Sequence, residues 1–413
     1  MNTLGWDAIF GIKSAALNAL LRKGASQLLQ TFQYSDHGYT LKGSFGPWEV
    51  VTGGTAKFLH VRIPVVQGTM VDASGVSTPL DGEAVYVAIA LALLPNAHGQ
   101  GGTSLSFDFS GQSGSGAKPV AALSPPTGSA PSKLDSTGQA ILRGAVAATL
   151  AANAAQVTLV LAAINPQPGA GSWLTPQQTD FCWVESAGQG FLFILTVMDG
   201  RDTSTLNRAV DPLLLANASA WDACVALSPE MFLEHLVLPG LPPTLGIVAS
   251  PGVFGWDAAS GHIKQTSSFP LPTVRGTFNY TPFVDALMIE VVGTQLHSVI
   301  SGTCDLKVRL TLNFSREASN SLQFIPSKQI LTLLPDDQAI VHSDIPTDGP
   351  FSRARKALVP NAIPAEVIQG LVLNDRLSPS VTIPSVVNWG NQLVFTATAA
   401  GLDTAFYLQG SLT

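Results

Sequence analysis

The stretch Thr3–Gly24, TLGWDAIFGIKSAALNALLRKG, decides the fold. It reads as a long, mostly apolar helix with both ends marked. Thr3 caps the start, Asp7 lies in the first turn, Arg22 and Lys23 close the last turn and Gly24 stops it. A helix of that length runs roughly 30 Å, the depth of a small domain. Trp6, Ile9, Phe10, Ile12, Ala16, Leu17, Leu20 and Leu21 cover more than half of its circumference, so the sequence predicts a helix wrapped by other structure.

The rest of the 413 residues supplies the wrapping. Only 12% are charged, about half the usual share, and the mean hydropathy is +0.29. A membrane span does not account for this, because the uncharged apolar runs Ala84–Leu94 and Phe191–Met198 fall short of the ~20 residues a spanning helix needs. Asp7 sits where a signal peptide would begin its apolar core, so the expectation is a cytoplasmic protein or one released without a signal peptide. The apolar excess therefore belongs to a large folded interior. Net charge is −7, and the 21 Lys and Arg are scattered, which excludes a nucleic-acid footprint. Cys182, Cys224 and Cys304 lie far apart and read as reduced core thiols.

After Gly24 the pattern turns to short strands, Gln27–Tyr34, Tyr39–Phe45, Trp48–Val51 and Lys57–Val66, with turn signals between them. In Glu83–Leu94 the large Val85, Val87, Ile89, Leu91 and Leu93 alternate with mostly small residues, which makes a strand covered on both faces. Residues 98–139 are rich in Gly, Ser and Pro and read as a mobile surface excursion. A helix over Gly138–Asn153, a strand Val157–Ile164 and a hairpin from Asp180–Glu185 and Phe191–Met198 follow. Ser228-Pro229-Glu230 starts a further helix that Pro239-Gly240 ends. Strands resume at Gly246–Ala249, His262–Ser268, Arg275–Tyr280, Ala286–Val292, His297–Ser301 and Leu306–Phe314. A fourth helix through Pro364 and Leu371 then precedes strands at Gln392–Thr398 and Ala405–Gln409.

Nothing in the chain reads as a catalytic motif. HExxH and GxSxG do not occur, the Gly-rich pieces lack a phosphate-loop spacing, and Glu234-His235 has no evident nucleophile beside it. Asp199 and Asp202 read as a solvated turn rather than a cation site, and His297 with Cys304 needs a geometry that spacing does not show. No enzyme activity, cofactor or metal is expected.

The two halves share one order of elements: helix, several strands, helix, strands. This predicts an elongated α+β chain of two related units, 1–205 and 206–413, each with long helices gripped by a strongly curved antiparallel sheet. The run Asn2-Thr3-Leu4-Gly5-Trp6-Asp7, Trp48-Glu49-Val50-Val51-Thr52-Gly53-Gly54 and Ser172-Trp173-Leu174 resemble the P forty-seven family of clostridial accessory proteins. Asp199-Gly200-Arg201-Asp202, Asp211-Pro212 and the helix Phe232–Pro239 extend the resemblance.

That family is encoded beside botulinum neurotoxin in OrfX-type gene clusters and belongs to the tubular lipid-binding (TULIP) superfamily. The resemblance implies a helix and a bent sheet around an apolar groove that takes acyl chains, hence a lipid or fatty-acid-like ligand. Burying a tail of ~16 carbons is worth at most about 12 kcal/mol before entropy costs. Phe10, Leu17, Leu21, Val85, Val87, Leu233 and Leu236 are the groove-lining candidates. The same residues also suit a closed core, and the alternative is a protein-assembly scaffold or toxin partner whose lipid-binding fold is filled. The toxin or other cluster-encoded proteins are the expected protein partners, and a homo-oligomer stays open.

Overall fold

The computed structural model describes residues 1–95, 102–109, 118–164, 172–216, 220–247, 252–276, 278–307, 309–346, 356, 359, 362–373, 386–390 and 393–413. Of the expected excursion 98–139, residues 98–101 and 110–117 lie outside them, as does Val308; within its described part are the strands Thr103–Asp108 and Val120–Leu123, with Leu105 and Phe107 buried, and the start of a helix at Ser136. The fold is mostly β, with a sheet that curls into a half-barrel.

The opening stretch is not one helix. It is a turn at Leu4-Gly5, both at positive φ, then a strand Ala8–Lys13 and a helix Ser14–Lys23, hereafter α1. The strand runs at the centre of a six-stranded antiparallel sheet, between Gln189–Val197 and Ala223–Leu227, with Gln178–Ser186, Ala405–Leu412 and Phe395–Asp403 outside them. Both faces of that sheet are covered: Phe10 and Ile12 enter the main core, while Ile9 packs with Phe191, Phe193 and Trp221 on the other side. A strand buried on both faces needs apolar residues throughout, which is the composition that also suits a wrapped helix. Gly11 is required here, because a Cβ would stand 2.3 Å from the Phe193 ring. The helical remainder keeps the expected end, with Gly24 N–H on Leu20 O at 2.9 Å. At ten residues α1 is about half the expected length.

A ten-stranded sheet follows the chain order Thr31–Asp36, Tyr39–Phe45, Phe58–Val71, Ala84–Pro95, Thr103–Asp108, Val160–Ile164 and Val387–Trp389. Glu49–Thr55, Ser77–Pro79 and Val120–Leu123 attach to it at the side. The alternation at 84–95 is confirmed, since Val85, Val87, Ile89 and Leu91 are fully buried and Ala88, Ala90 and Ala92 are covered as well. Helix α2, Ser136–Ala152, lies against this sheet, capped by Asp135 Oδ1 on Gly138 N–H at 2.7 Å. Asn18 ties α1 to the edge of the same sheet by bonding Val50 N–H at 2.7 Å and Val50 O at 3.1 Å.

The third sheet, Phe254–Asp257, His262–Gln265, Pro282–Val292, Gln295–Asp305, Thr311–Ile325 and Ile330–Leu333, belongs to the later part of the chain. Three expectations fail there. Leu306–Phe314 is not one strand: Leu306 N–H bonds Leu310 O, and Lys307 and Arg309 stand at positive φ, so the alternation crosses a turn. Arg275–Tyr280 is a hairpin of two short bridges, Val274–Arg275 with Asn279–Tyr280. Gly246 is in a turn at φ +69°, and Ile247 is not in a strand. The helical segment that opens at Pro229 also continues past Pro239-Gly240 to Thr244. It passes through a π-helical stretch, Leu233–Val237, in which Leu238 N–H reaches back to Leu233 O. The fourth helix is present as Ala362–Gln369. The six-stranded sheet takes strands from both sides of residue 205.

Candidate functional site

The seven groove candidates all lie in one continuous hydrophobic core. Leu17, Leu21, Val85, Val87 and Leu233 are 0% exposed, and Phe10 and Leu236 are 4% exposed. Phe10 borders a cavity of about 70 Å³ together with Val225, Trp389, Leu393, Phe395 and Leu412. That is room for about two waters, far below the ~300 Å³ at which ligand pockets begin.

Leu393 and Leu412 also form the inner wall of a surface groove of about 330 Å³ along α1. Ala15, Ala16, Ala19 and Leu20 make its floor, with Lys13 and Lys23 beside them. Lys13 Nζ pairs with Asp222 Oδ1 at 3.2 Å, while Lys23 is exposed. The arrangement is an apolar trough bordered by the Lys13–Asp222 pair and by Lys23, and Leu393 and Leu412 line both it and the smaller cavity beside Phe10. Sequence reasoning placed Lys23 at the end of the helix, as the structure does, but assigned neither it nor Lys13 to a site, because the groove depends on Leu393 and Leu412 packing beside α1 from the far end of the chain.

The conspicuous sequence words hold the fold together. Asp7 is buried; its Oδ2 accepts Met198 N–H at 2.7 Å, and its Oδ1 accepts Arg201 Nη2. Arg201 also donates to Gly5 O and pairs with Asp199; burial acts to lower its pKa, but Asp7 and then Asp199 outweigh that and raise it. Trp6 Nε1 donates to Asn207 O, and Asn2 N–H to Asp211 Oδ2. Asp202 caps Ser204, through both its N–H and its hydroxyl. Gly53 and Gly54, expected as a turn, lie inside the strand Glu49–Thr55; there Glu185 Oε1 accepts Gly53 N–H at 2.6 Å, Gly54 N–H at 3.0 Å and Trp183 Nε1 at 2.8 Å, which clamps that strand to the 178–197 hairpin. Trp173 stacks on His235 at 4.8 Å, joining Ser172-Trp173-Leu174 to the π-helical stretch.

The titratable groups considered for chemistry are placed as follows. Burial lowers the His235 pKa, and Glu234 partly opposes that. His297 lies between Glu290 and Glu317 at 3.3 and 3.2 Å, and Cys304 is seven residues along the same strand, roughly 23 Å away. Burial pushes the Cys182 thiol up to about 12 and, with Asp305, the Cys304 thiol up to about 11; Cys224 is raised as well. Among the described residues no group of three His, Cys, Asp or Glu is placed to hold a metal, and no helix is long and apolar enough to cross a membrane.

Residues 3–315 match the family model described as OrfX-like, protein OrfX2/OrfX3/P47. The chain belongs to the OrfX-like family. Protein P47 of Clostridium botulinum (strain Kyoto / Type A2) is 27% identical over 248 residues, 58% of this chain and 56% of that one, so the aligned stretch spans little more than half of that relative. Protein OrfX3 of Paraclostridium bifermentans is 31% identical over 65 residues, 16% of this chain and 13% of its own. The crystallised P47 of C. botulinum E1 superposes with a TM-score of 0.81 at 20% identity, covering 99% of this chain and all of that one. The structure of P47 from C. botulinum A2 gives 0.85 at 19% identity, covering 100% and 98%. At such identity the superpositions establish an OrfX-like fold shared over nearly the full chain.

Proposed function

We propose that this OrfX-like chain is a non-enzymatic accessory protein of a bacterial toxin-type gene cluster that serves protein assembly. In this reading it uses a TULIP-type lipid-binding fold as a scaffold, with the interior closed by its own side chains. The partners are the toxin or other cluster-encoded proteins, met in the cytoplasm or after release without a signal peptide. The units 1–205 and 206–413 each contribute a curved sheet and are joined through the six-stranded one.

The observation that carries the reading is the burial of all seven groove candidates in one packed core, where the space that Phe10 borders is about 70 Å³. A void of that size costs about 1.7 kcal/mol, which a domain tolerates, whereas an empty lipid-sized groove of ~300 Å³ would cost roughly 7 kcal/mol. The test is calorimetric titration of the purified chain with each purified cluster-encoded protein, with light scattering to report any homo-oligomer. A saturable one-to-one complex with at least one of them supports the scaffold. Absence of any complex, together with stoichiometric lipid in the purified chain, overturns it.

The lipid-carrier reading draws on a different observation, the trough along α1 with its alanine floor and flanking lysines. An acyl chain lying there would reach the internal cavity once Leu393 and Leu412 turned aside, with its carboxylate near Lys13 or Lys23. Uptake of a fluorescent fatty acid that Ala16→Trp abolishes supports this reading. Uptake unchanged by Ala16→Trp, or no uptake, removes it.

A further inference from the structure

A polar cavity of about 300 Å³ lies apart from the core and the α1 trough, between the ten-stranded sheet, α2 and the loop 125–132. Glu49, Arg62 and Tyr86 stand directly opposite one another on three neighbouring strands, so their side chains leave the sheet on one face. Arg62 Nη1 donates to Glu49 Oε2 at 2.9 Å, which leaves its Nε and Nη2 for a further acceptor. Arg143 brings a second guanidinium to the cavity from α2. It is half-buried, and among the described residues it forms no ion pair.

The remaining walls suit the same chemistry. Tyr86 Oη accepts from Ser129 Oγ at 3.3 Å, and its own hydrogen stays available to donate. Glu83 also borders the cavity, but its two oxygens are engaged by Ser132 Oγ at 2.6 Å and Lys133 N–H at 2.8 Å. Pro125, Pro126 and Pro131 stiffen the loop that closes the outer side, so little ordering is needed on binding. Two planar guanidinium forks and a phenol at one cavity match the oxygens of a carboxylate or phosphate group.

We propose that this cavity binds a small oxyanion, a carboxylate or a phosphate group, between Arg62 and Arg143 with Tyr86 as a third donor. The site is independent of the scaffold reading and of the α1 trough. Its test is isothermal titration of the full chain with inorganic phosphate and, separately, with succinate at constant ionic strength. Saturable one-to-one binding of at least one anion is expected. Arg143→Met weakens it roughly tenfold or more, and Tyr86→Phe weakens it a few-fold. Arg275→Met, at an exposed arginine elsewhere, leaves it unchanged.

Co-flotation with phosphatidylcholine vesicles, with and without phosphatidic acid, identifies the source of the group. Flotation that needs phosphatidic acid and is lost in Arg143→Met assigns a lipid headgroup. Anion binding without flotation assigns a soluble ligand. The proposal is overturned if neither anion saturates and the vesicles do not bind, or if Arg143→Met and Arg275→Met behave alike.

Discussion

Replacing Phe10 by Ala probes the closed interior beside the small cavity that its ring borders. Phe10 is 4% exposed, stands opposite Ile194 on one neighbouring strand and Val225 on the other, and borders the cavity of about 70 Å³. Truncation removes the transfer energy of the ring and enlarges a space that hydrogen-bonded strands on both sides hold open. The expected loss is about 3–5 kcal/mol, toward the upper end because the site cannot collapse. Urea unfolding followed by tryptophan fluorescence measures it, with Trp389 in the cavity wall. Val394→Ala, at a side chain 64% exposed, is the control and changes stability by under about 0.5 kcal/mol. A loss below about 1 kcal/mol for Phe10→Ala would mean that the ring faces a solvated or ligand-filled groove, and would refute the closed interior.

Glu185→Ala removes one acceptor from three donors at a partly exposed site where water can replace it, so about 1–2 kcal/mol is lost and amide exchange at Gly53 and Gly54 speeds up; unchanged exchange would count against the clamp. Gly190→Ala places a Cβ 1.9 Å from the Trp183 ring, so about 3 kcal/mol or more is lost in the same urea assay, and a neutral result would show that the ring moves freely. The raised thiol pKa values make stability fall at alkaline pH. Below about 9 the thiols are neutral in both states, whereas from about 9 to about 12 the unfolded chain loses protons that folded Cys182 and Cys304 keep. The slope of stability against pH over that window is shallower in Cys182→Ala, and an identical slope would refute the thiol's contribution.

The sequence was most legible where periodicity and burial agree. At 84–95 a strict alternation of large and small residues marks a strand covered on both faces, and the structure has it within one residue at each end. Helix α2 was legible for the same reason, through its alanine-rich run and polar start. The opening stretch was misread because a continuous apolar run has no period of its own: a wrapped helix and a central strand both need it, and only the pairing of Ala8 with Thr196 and Leu227 separates them. Leu306–Phe314 shows the converse failure, in which alternation persists through a turn that Lys307 and Arg309 make at positive φ.

Contacts between distant residues were the least legible part. Glu185 lies 132 positions from Gly53, and Arg62 and Arg143 come from different elements whose approach depends on α2 docking on the sheet. No local pattern encodes either meeting. The groove candidates were identifiable as buried, since helical and strand spacing both point them inward. Whether their burial lines a groove or fills it depends on a packing density that spacing does not carry.

Native mass spectrometry of the purified chain, paired with organic extraction of the same sample, tests the closed interior most directly. The account predicts the mass of the bare polypeptide and an extract without stoichiometric lipid. A one-to-one lipid adduct that survives purification and appears in the extract would contradict it.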